Sequence, residues 1–183
     1  MITCSDIIDI ILDQNIVAIY QGRSEAGPRA LGNRSILFDP RNPKGRDIVN
    51  RVKKREFFRP FAASVMLEYV NNWFDMKGIE ESPFMMFAVD SLEKVHDLIP
   101  AVLHVDMTCR VQTVTQKQNP HYYALISEFN DRTGVPMLMN TSFNLAGDPL
   151  VETLDDAIDT LNRSEIEYLY LPEKSELITV RNT

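Results

Sequence analysis

Positive charge is concentrated in the segment from Gln21 to Phe61, a loop-rich part of an otherwise acidic chain. The segment holds eleven Lys and Arg against four Asp and Glu, whereas the whole chain of 183 residues has a formal net charge of −7. It therefore carries about +7 and the rest of the chain about −14. Such polarity draws anions to one surface, and the planar guanidinium of Arg pairs with phosphate and carboxylate oxygens. The segment predicts a phosphate pocket.

Three arginines lie in the first part of this segment, Gly22–Ser35, where glycine and proline interrupt the chain. Glycine lets backbone N–H groups approach an anion closely, and Arg23, Arg29 and Arg34 add charge. A solvated surface turn is the better interpretation of any one Arg alone. Three of them in a structured loop favour an anion site.

A second group of cations follows a predicted helix. Lys53 and Arg55 are two residues apart at its end, where both side chains can reach one polyanion. Arg59 stands between an aromatic residue and a proline, so we expect it to be half-buried and to need an anionic partner. That partner is either Glu56 or a ligand, and composition does not decide between them.

Two polar groups lie farther along the chain. His104 and Asp106 would share a face if they were on a strand, which permits a metal or acid–base role, but a structural histidine is the better interpretation because no other His has a ligand spacing. Arg110 suits an anion.

The segment Asn140–Asn144 follows a predicted buried strand, so its polar groups either bind a phosphate, ribose or carbonyl or make a local turn.

Composition and length predict one globular domain without a membrane span. The amino-terminal segment has no basic region or cleavage site of a signal peptide. Cys4 and Cys109 are far apart with no metal-binding spacing, which predicts a cytoplasmic protein without a structural disulfide. P-loop, Rossmann and nucleophile-elbow motifs do not occur in the sequence.

Hydrophobic periodicity and capping residues predict alternating strands and helices, and hence the α/β or α+β class. The predicted helices are Ser5–Gln14, a helix from Lys44, Leu67–Phe74, Asn119–Thr133 and Thr153–Asn162. The predicted strands are Val17–Tyr20, Ser35–Phe38, Phe61–Met66, Pro83–Val89, Arg110–Thr115, Val135–Met139, Tyr168–Leu171 and an edge strand Leu177–Val180.

Six segments together resemble a known family. In chain order they are QGRSEAGPRALGNRSIL, DPRNP, VKKREFFRPFAASV, HVDMTCRVQTV, TGVPMLMNTSFN and GDPLVETLDDAI. They are similar to the C-terminal domain of the NodU/CmcH carbamoyltransferases over about Val17 to Leu171. The resemblance implies a YrdC-like twisted mixed sheet flanked by helices with an open basic cleft. It also implies that ATP and carbamoyl phosphate bind there and form carbamoyl-adenylate.

The resemblance further implies roles for individual residues. Its nucleotide and carbamoyl contacts would fall on Arg29, Lys53, Arg59, Arg110, Asn140 and Ser142, with Lys53, Arg59 and Arg110 as the catalytic cations. Second-rank contacts would be Arg23, Arg34, Arg55 and Asn144. Mg²⁺ would arrive with ATP and need no protein metal site.

Family members carry a longer N-terminal acceptor domain, which we expect to be absent from residues 1–183. The expectation is therefore a carbamoyl-adenylating half-enzyme that hands its product to a separate acceptor-domain chain for O-carbamoylation. Two alternatives remain. One is a catalytically inactive structural or regulatory remnant, and the other is a nucleic-acid-binding module that uses the basic cleft. The missing aromatic platform and the acidic remainder make nucleic acid the weaker choice.

Overall fold

A computed structural model describes residues 1–180 and shows a mixed sheet with helices on it. The strands are β1 Val17–Tyr20, β2 Arg34–Phe38, β3 Ala62–Met66, β4 Phe74–Asp75, β5 Ala88–Ser91, β6 Thr108–Val114, β7 Met137–Ser142, β8 Tyr168–Leu171 and β9 Glu176–Thr179. The α-helices are α1 Cys4–Leu12, α2 Gly45–Val52, α3 Pro120–Thr133 and α4 Leu154–Asn162. Short 3₁₀ turns cover Leu67–Asn72, Glu93–Val95 and Pro172–Lys174.

Strand order places the ends of three central strands at one edge of the sheet. The order is β4-β5-β6-β3-β7-β2-β1-β8-β9, with β3 and β6 parallel to each other and antiparallel to β7. Ala62 pairs with both Arg110 and Asn140, so the starts of β3 and β6 meet the end of β7. Polar residues from three distant parts of the sequence therefore converge at this edge.

Helices α1 and α3 pack against each other, and α3 also contacts β3 and β7. Both helices begin at a capping residue, and the cap of α3 is the predicted one. Thr3 and Asp6 form a reciprocal capping box on α1, and Asn119 caps α3 with Pro120 in its first turn. Gly134 ends α3 in the left-handed conformation with φ 73°, as predicted.

The twisted α/β class is confirmed, and most elements lie within two residues of their predicted positions. Several predictions were wrong in detail. Thr3 rather than Ser5 caps α1, and the segment after Met66 is a 3₁₀ turn rather than an α-helix. Strand β5 begins only at Ala88, because Met85 has φ 53° and cannot continue an extended strand.

His104 and Asp106 would have shared a face if they had been on a strand. They lie instead in a turn that precedes β6, where the Met107 N–H donates to the His104 carbonyl at 3.1 Å. His104 Nδ1 contacts Thr108 Oγ1 at 2.9 Å, and burial lowers the pKa of the imidazole. This geometry fits the structural interpretation of His104. Among residues 1–180, no helix is long and apolar enough to cross a membrane.

Candidate functional site

The loop between β1 and β2 is fixed by one carboxylate and one tight contact. Glu25 Oε1 accepts hydrogen bonds from the backbone N–H of Leu31 at 2.7 Å and of Asn33 at 2.8 Å. Gly32 has φ +111°, and a Cβ there would lie 2.3 Å from Tyr122 Cδ1, so only glycine fits. The loop is thus pinned on both sides of Arg29, which is how it presents that side chain at the sheet edge.

Lys53 follows the end of α2 and is buried, with 2% of the residue exposed. Its Nζ donates to the carbonyl oxygen of Ser142, to Ser142 Oγ at 3.2 Å and to Asn144 Oδ1 at 3.0 Å. Burial, and then the charge of Arg55, hold the pKa of Lys53 well below its ordinary value. All of these partners are neutral, so the ammonium has no carboxylate to balance its charge.

Arg55 lies beside Lys53, and burial lowers the pKa of both side chains. Its Nε donates to Asn50 Oδ1 at 2.5 Å and its guanidinium lies 4.5 Å from the centre of the Phe61 ring. The Nη2 atom is buried and has no hydrogen-bond partner among the described residues. Burial and the charge of Arg59 lower the pKa of Arg55 to about 10. A buried donor without a partner is expected where an anionic ligand supplies the acceptor.

Arg59 is more exposed than predicted. Its side chain is 53% exposed, and its Nε lies 2.8 Å from Glu56 Oε2. Of the two partners left open by the sequence, Glu56 is the one that the structure shows. The pair is at the surface, where it contributes little to stability, so Arg59 can exchange Glu56 for a ligand at small cost.

Arg29 and Arg110 are brought together across the sheet edge. They line a small hollow with Arg55, Asn140 and Ser142. Burial, and then the charge of Arg29, lower the pKa of Arg110. Neither side chain forms an ion pair or hydrogen bond with another residue in the described part of the chain. Two close cations without a carboxylate form a site for an anion.

A larger hollow adjoins the small one, and the two share Arg55 and Ser142. It has a volume of about 680 Å³ and includes Lys53, Arg59, Asn144 and the loop Leu145–Gly147. We call the two hollows together the anion cleft. It contains eight of the ten predicted site residues, namely Arg29, Lys53, Arg55, Arg59, Arg110, Asn140, Ser142 and Asn144.

The two remaining predicted residues lie outside the anion cleft. Arg34 is buried, with 2% of the residue exposed, and its guanidinium donates to the carbonyl oxygens of Gln21, Asn33, Gly22 and Glu152 at 2.6–3.3 Å. It also lies 3.6 Å from the centre of the Tyr20 ring. These contacts tie the loop to the sheet. Arg23 is exposed and does not line either hollow.

Ser142 and Asn144 form the wall opposite Lys53. Strand β7 extends to Ser142, three residues farther than predicted, and Asn144 lies in the bend that follows the strand. Ser142 Oγ donates to Asn144 Oδ1 at 2.6 Å, and Asn144 Nδ2 donates to the Asp148 carbonyl at 2.7 Å. The bonds fix the positions of both side chains next to the cations.

Sequence reasoning did not identify Gln112 and Ser64, which lie directly behind Asn140. Asn140 Nδ2 donates to Ser64 Oγ at 2.9 Å and to Gln112 Oε1 at 3.2 Å. Gln112 is two residues after Arg110 on β6, and Ser64 is two residues after Ala62 on β3, so both point to the same face as the cleft residues. Each is a polar residue two positions after a cleft residue on a buried strand, and this spacing could have identified both from the sequence.

A separate cavity of about 600 Å³ lies on the other side of the Leu31–Asn33 segment. Glu25 and Glu173 line it, and no Lys or Arg is among its lining residues. Although it is well formed, its charge does not suit a phosphate. The chemistry indicated by the basic segment therefore belongs to the anion cleft.

The described residues contain no group of three or more His, Cys, Asp or Glu that could hold a metal ion. Both cysteines are free, and burial raises the pKa of Cys109 to about 12, so its thiol stays protonated at neutral pH. Among residues 1–180 the cleft offers cations, neutral hydrogen-bonding groups and one carboxylate, Glu56, which is paired with Arg59, and it contains no activated nucleophile. Such a site can position a polyanion and stabilise developing negative charge.

The mixed sheet and the cleft define a YrdC-like domain. A search of solved structures finds HypF in a phosphate- and nucleotide-bound form, with TM-score 0.63 and 17% identity over 87% of this chain and 23% of that one. It also finds P. abyssi Sua5 complexed with L-threonine, with TM-score 0.65 and 12% identity over 92% of this chain and 46% of that one. At these identities the likeness shows the fold.

Sequence comparison then gives the family: the chain belongs to the family "Carbamoyltransferase C-terminus", whose model matches residues 8–176. Nodulation protein NolNO of Sinorhizobium fredii is 47% identical over 87% of this chain and 24% of its own length. The 3'-hydroxymethylcephem-O-carbamoyltransferase of Streptomyces clavuligerus is 38% identical over 83% of this chain and 28% of its own length. The chain thus spans about a quarter of these relatives.

Proposed function

We propose that the chain is a carbamoyl-adenylating domain, which binds ATP and carbamoyl phosphate in the anion cleft. The observation that carries this proposal is the set of four cations, Arg29, Lys53, Arg55 and Arg110, that converge without an ion pair to any described carboxylate. Such a cluster is costly when empty and favourable when phosphates fill it. Family membership supports the choice of a carbamoyl group.

The two hollows differ in size and therefore suit different substrates. The larger hollow places Lys53, Arg55 and Arg59 where a triphosphate can lie, and the small hollow places Arg29 and Arg110 beside Asn140 and Ser142. We assign the triphosphate to the former and carbamoyl phosphate to the latter. Mg²⁺ would come with ATP, held by its phosphates and water, and would neutralise their charge.

In the reaction, a carbamoyl oxygen bonds to the α-phosphorus of ATP and the α–β anhydride bond breaks. Pyrophosphate leaves, and the phosphate of carbamoyl phosphate is released to water as inorganic phosphate. One ATP, one carbamoyl phosphate and one water thus give one carbamoyl-adenylate, one pyrophosphate and one phosphate. Lys53, Arg59 and Arg110 stabilise the charge that develops on the transferring and leaving phosphates.

Transfer of the carbamoyl group to an acceptor hydroxyl would need a second component. The curated relatives named above are about four times as long as the region that this chain matches. We therefore propose that an acceptor domain outside these residues takes carbamoyl-adenylate from the cleft. We place this chemistry in the cytoplasm, where ATP and carbamoyl phosphate are made.

The test is to incubate the purified chain with Mg-ATP and carbamoyl phosphate, and to follow pyrophosphate release together with carbamoyl-adenylate by mass spectrometry. Arg59→Ala and Arg110→Ala serve as site variants, and Arg51→Ala, an exposed Arg paired to Glu165, is the matched control. The proposal expects equal amounts of pyrophosphate and phosphate, lost in the two site variants and kept in the control. If the chain forms no product and does not bind ATP, the proposal is wrong. The alternatives are then an inactive remnant or a nucleic-acid-binding module.

A further inference from the structure

A chain of hydrogen bonds behind the anion cleft has a defined direction. Gln112 Nε2 donates to the Leu31 carbonyl oxygen at 2.8 Å, which requires Gln112 Oε1 to face the opposite side. Ser64 Oγ donates its single hydrogen to that Oε1 at 2.6 Å. Ser64 Oγ can then only accept from its other neighbours. These two bonds therefore determine which atom donates and which accepts in the remaining hydrogen bonds of the network.

The direction of the network determines how the Asn140 amide is turned. Asn140 Nδ2 has three acceptors around it, namely Ala30 O at 3.2 Å, Ser64 Oγ at 2.9 Å and Gln112 Oε1 at 3.2 Å. Turning the amide over would place Asn140 Oδ1 against the Ala30 carbonyl and Gln112 Oε1, where acceptors repel. The amide nitrogen is thus held on the side of the network.

This arrangement leaves Asn140 Oδ1 unsatisfied. Asn140 is 1% exposed, and its Oδ1 is buried without a hydrogen-bond partner among the described residues. Such an atom costs free energy unless a donor reaches it. Asn140 lines the small hollow with Arg29, Arg110 and Ser142, so a ligand in that hollow is the available source of the donor.

The ligand must carry an N–H donor next to an anionic group. The two cations require the anion, and Asn140 Oδ1 requires the donor. Carbamoyl phosphate combines a phosphate with an adjacent NH₂, whereas acetyl phosphate has the same phosphate and a methyl group in place of the NH₂. A site built to pair a substrate N–H discriminates strongly against an analogue that lacks it, because its own polar group then stays unpaired.

We propose that Gln112 is a positioning residue for substrate specificity: it holds the Asn140 amide so that Oδ1 accepts a hydrogen bond from the NH₂ of carbamoyl phosphate. The inference rests on the proposed function and adds to it the group that distinguishes a carbamoyl phosphate from an acyl phosphate. Gln112 itself does not line the cleft, so it acts through Asn140.

The experiment is a calorimetric titration of the full chain with carbamoyl phosphate and, separately, with acetyl phosphate. Gln112→Met keeps the side-chain length and removes both hydrogen-bonding groups. Gln112→Leu removes the same two groups with a shorter side chain. Gln118→Met is the matched control, because Gln118 is exposed and lines the separate cavity. Melting temperature and Mg-ATP affinity are recorded for every variant.

We expect wild type and Gln118→Met to bind carbamoyl phosphate at least about a hundredfold more tightly than acetyl phosphate. In both Gln112 variants this ratio falls about tenfold or more, while Mg-ATP affinity is unchanged. If one Gln112 variant fails to fold, the other decides.

Equal binding of the two phosphates to wild type would overturn the inference and leave the proposed function intact. So would a Gln112 variant that weakens both phosphates equally, since Gln112 would then be structural alone. Failure of wild type to bind either phosphate or Mg-ATP would overturn the proposed function, and this inference with it.

Discussion

Arg34 and Lys53 are equally buried cations from the same basic segment, but their surroundings differ. Each residue is 2% exposed. Arg34 is surrounded by four backbone carbonyls and an aromatic ring. Lys53 has the carbonyl and hydroxyl of Ser142 and the amide oxygen of Asn144, and a second cation, Arg55, lies beside it and lowers its pKa.

The difference teaches that burial alone does not identify a ligand-binding cation. The Arg34 guanidinium spreads its charge over carbonyls from the loop and from Glu152, and it thereby holds the loop to the sheet. Lys53 and Arg55 repel each other, and neither forms an ion pair with a carboxylate of residues 1–180, so a bound anion would relieve an unfavourable arrangement. We therefore assign Arg34 to the stability of the fold and propose Lys53 as a contact for an anionic ligand. Four substitutions or conditions test this contrast.

The largest expected effect is on turnover in Lys53→Met. Removing the ammonium takes away a charge that stabilises the transferring phosphates, so pyrophosphate release should fall by about a thousandfold. The free energy of unfolding should change by less than about 1 kcal/mol, because a buried charge is replaced by an apolar side chain of similar length. Pyrophosphate assays and urea unfolding measure the two quantities. A large loss of stability with normal turnover would reverse the roles assigned here.

Arg34→Met should show the opposite pattern. It leaves several buried carbonyls without donors and removes the contact with the Tyr20 ring, so the free energy of unfolding should fall by about 3 kcal/mol. Urea unfolding measures the loss, with Arg23→Met, an exposed arginine of the same loop, as control. A loss below about 0.5 kcal/mol would mean that the guanidinium does not hold the loop.

Beside the loss of product formation expected above, Arg59→Ala should have a smaller effect on stability and on Mg-ATP affinity. Its ion pair with Glu56 is exposed, so stability should change by less than about 0.5 kcal/mol. Mg-ATP affinity should fall about threefold to tenfold, because one of several phosphate contacts is lost. Arg51→Ala removes a comparable exposed pair with Glu165 outside the cleft and should leave Mg-ATP affinity unchanged. Equal losses in both variants would show a general effect of net charge.

The smallest expected effect is the uptake of a proton when Mg-ATP binds. The folded pKa of Lys53 lies well below its unfolded value, so between the two pKa values the unfolded chain binds more protons and stability rises with pH. A bound polyanion raises the pKa of Lys53 again, so Mg-ATP binding should take up protons above the depressed pKa. Titrations in buffers of different ionisation enthalpy measure this uptake. Uptake that persists in Lys53→Met would assign the proton to another group.

Residue spacing and strand ends explain why much of the site could be predicted. Lys53 and Arg55 lie where a helix ends, and Asn140 and Ser142 lie where a buried strand ends, so local patterns were enough to place each pair. The capping residues of α3 were readable for the same reason. The contact that joins the two pairs, from Lys53 to Ser142, spans 89 residues and depends on sheet order.

Other features depend on contacts that no local pattern contains. Arg34 lies in the same glycine-containing segment as Arg29, and what distinguishes it is its contact with the Glu152 carbonyl, 118 residues away. Gln112 reaches Asn140 only because β6, β3 and β7 lie side by side in the sheet. The Pro83–Phe87 segment has strand-like composition, but the left-handed conformation of Met85 prevents a strand there. Local propensity decides none of these three cases.

The most direct test of the account is a calorimetric titration of Mg-ATP into wild type, Lys53→Met and Arg34→Lys. The account predicts that wild type and Arg34→Lys bind Mg-ATP with similar affinity, and that Lys53→Met binds it at least about a hundredfold more weakly, or about 2.7 kcal/mol. Arg34→Lys keeps the charge but lowers the melting temperature. Undiminished binding by Lys53→Met, or no binding by wild type, would contradict the claim that this buried cation cluster is an ATP site.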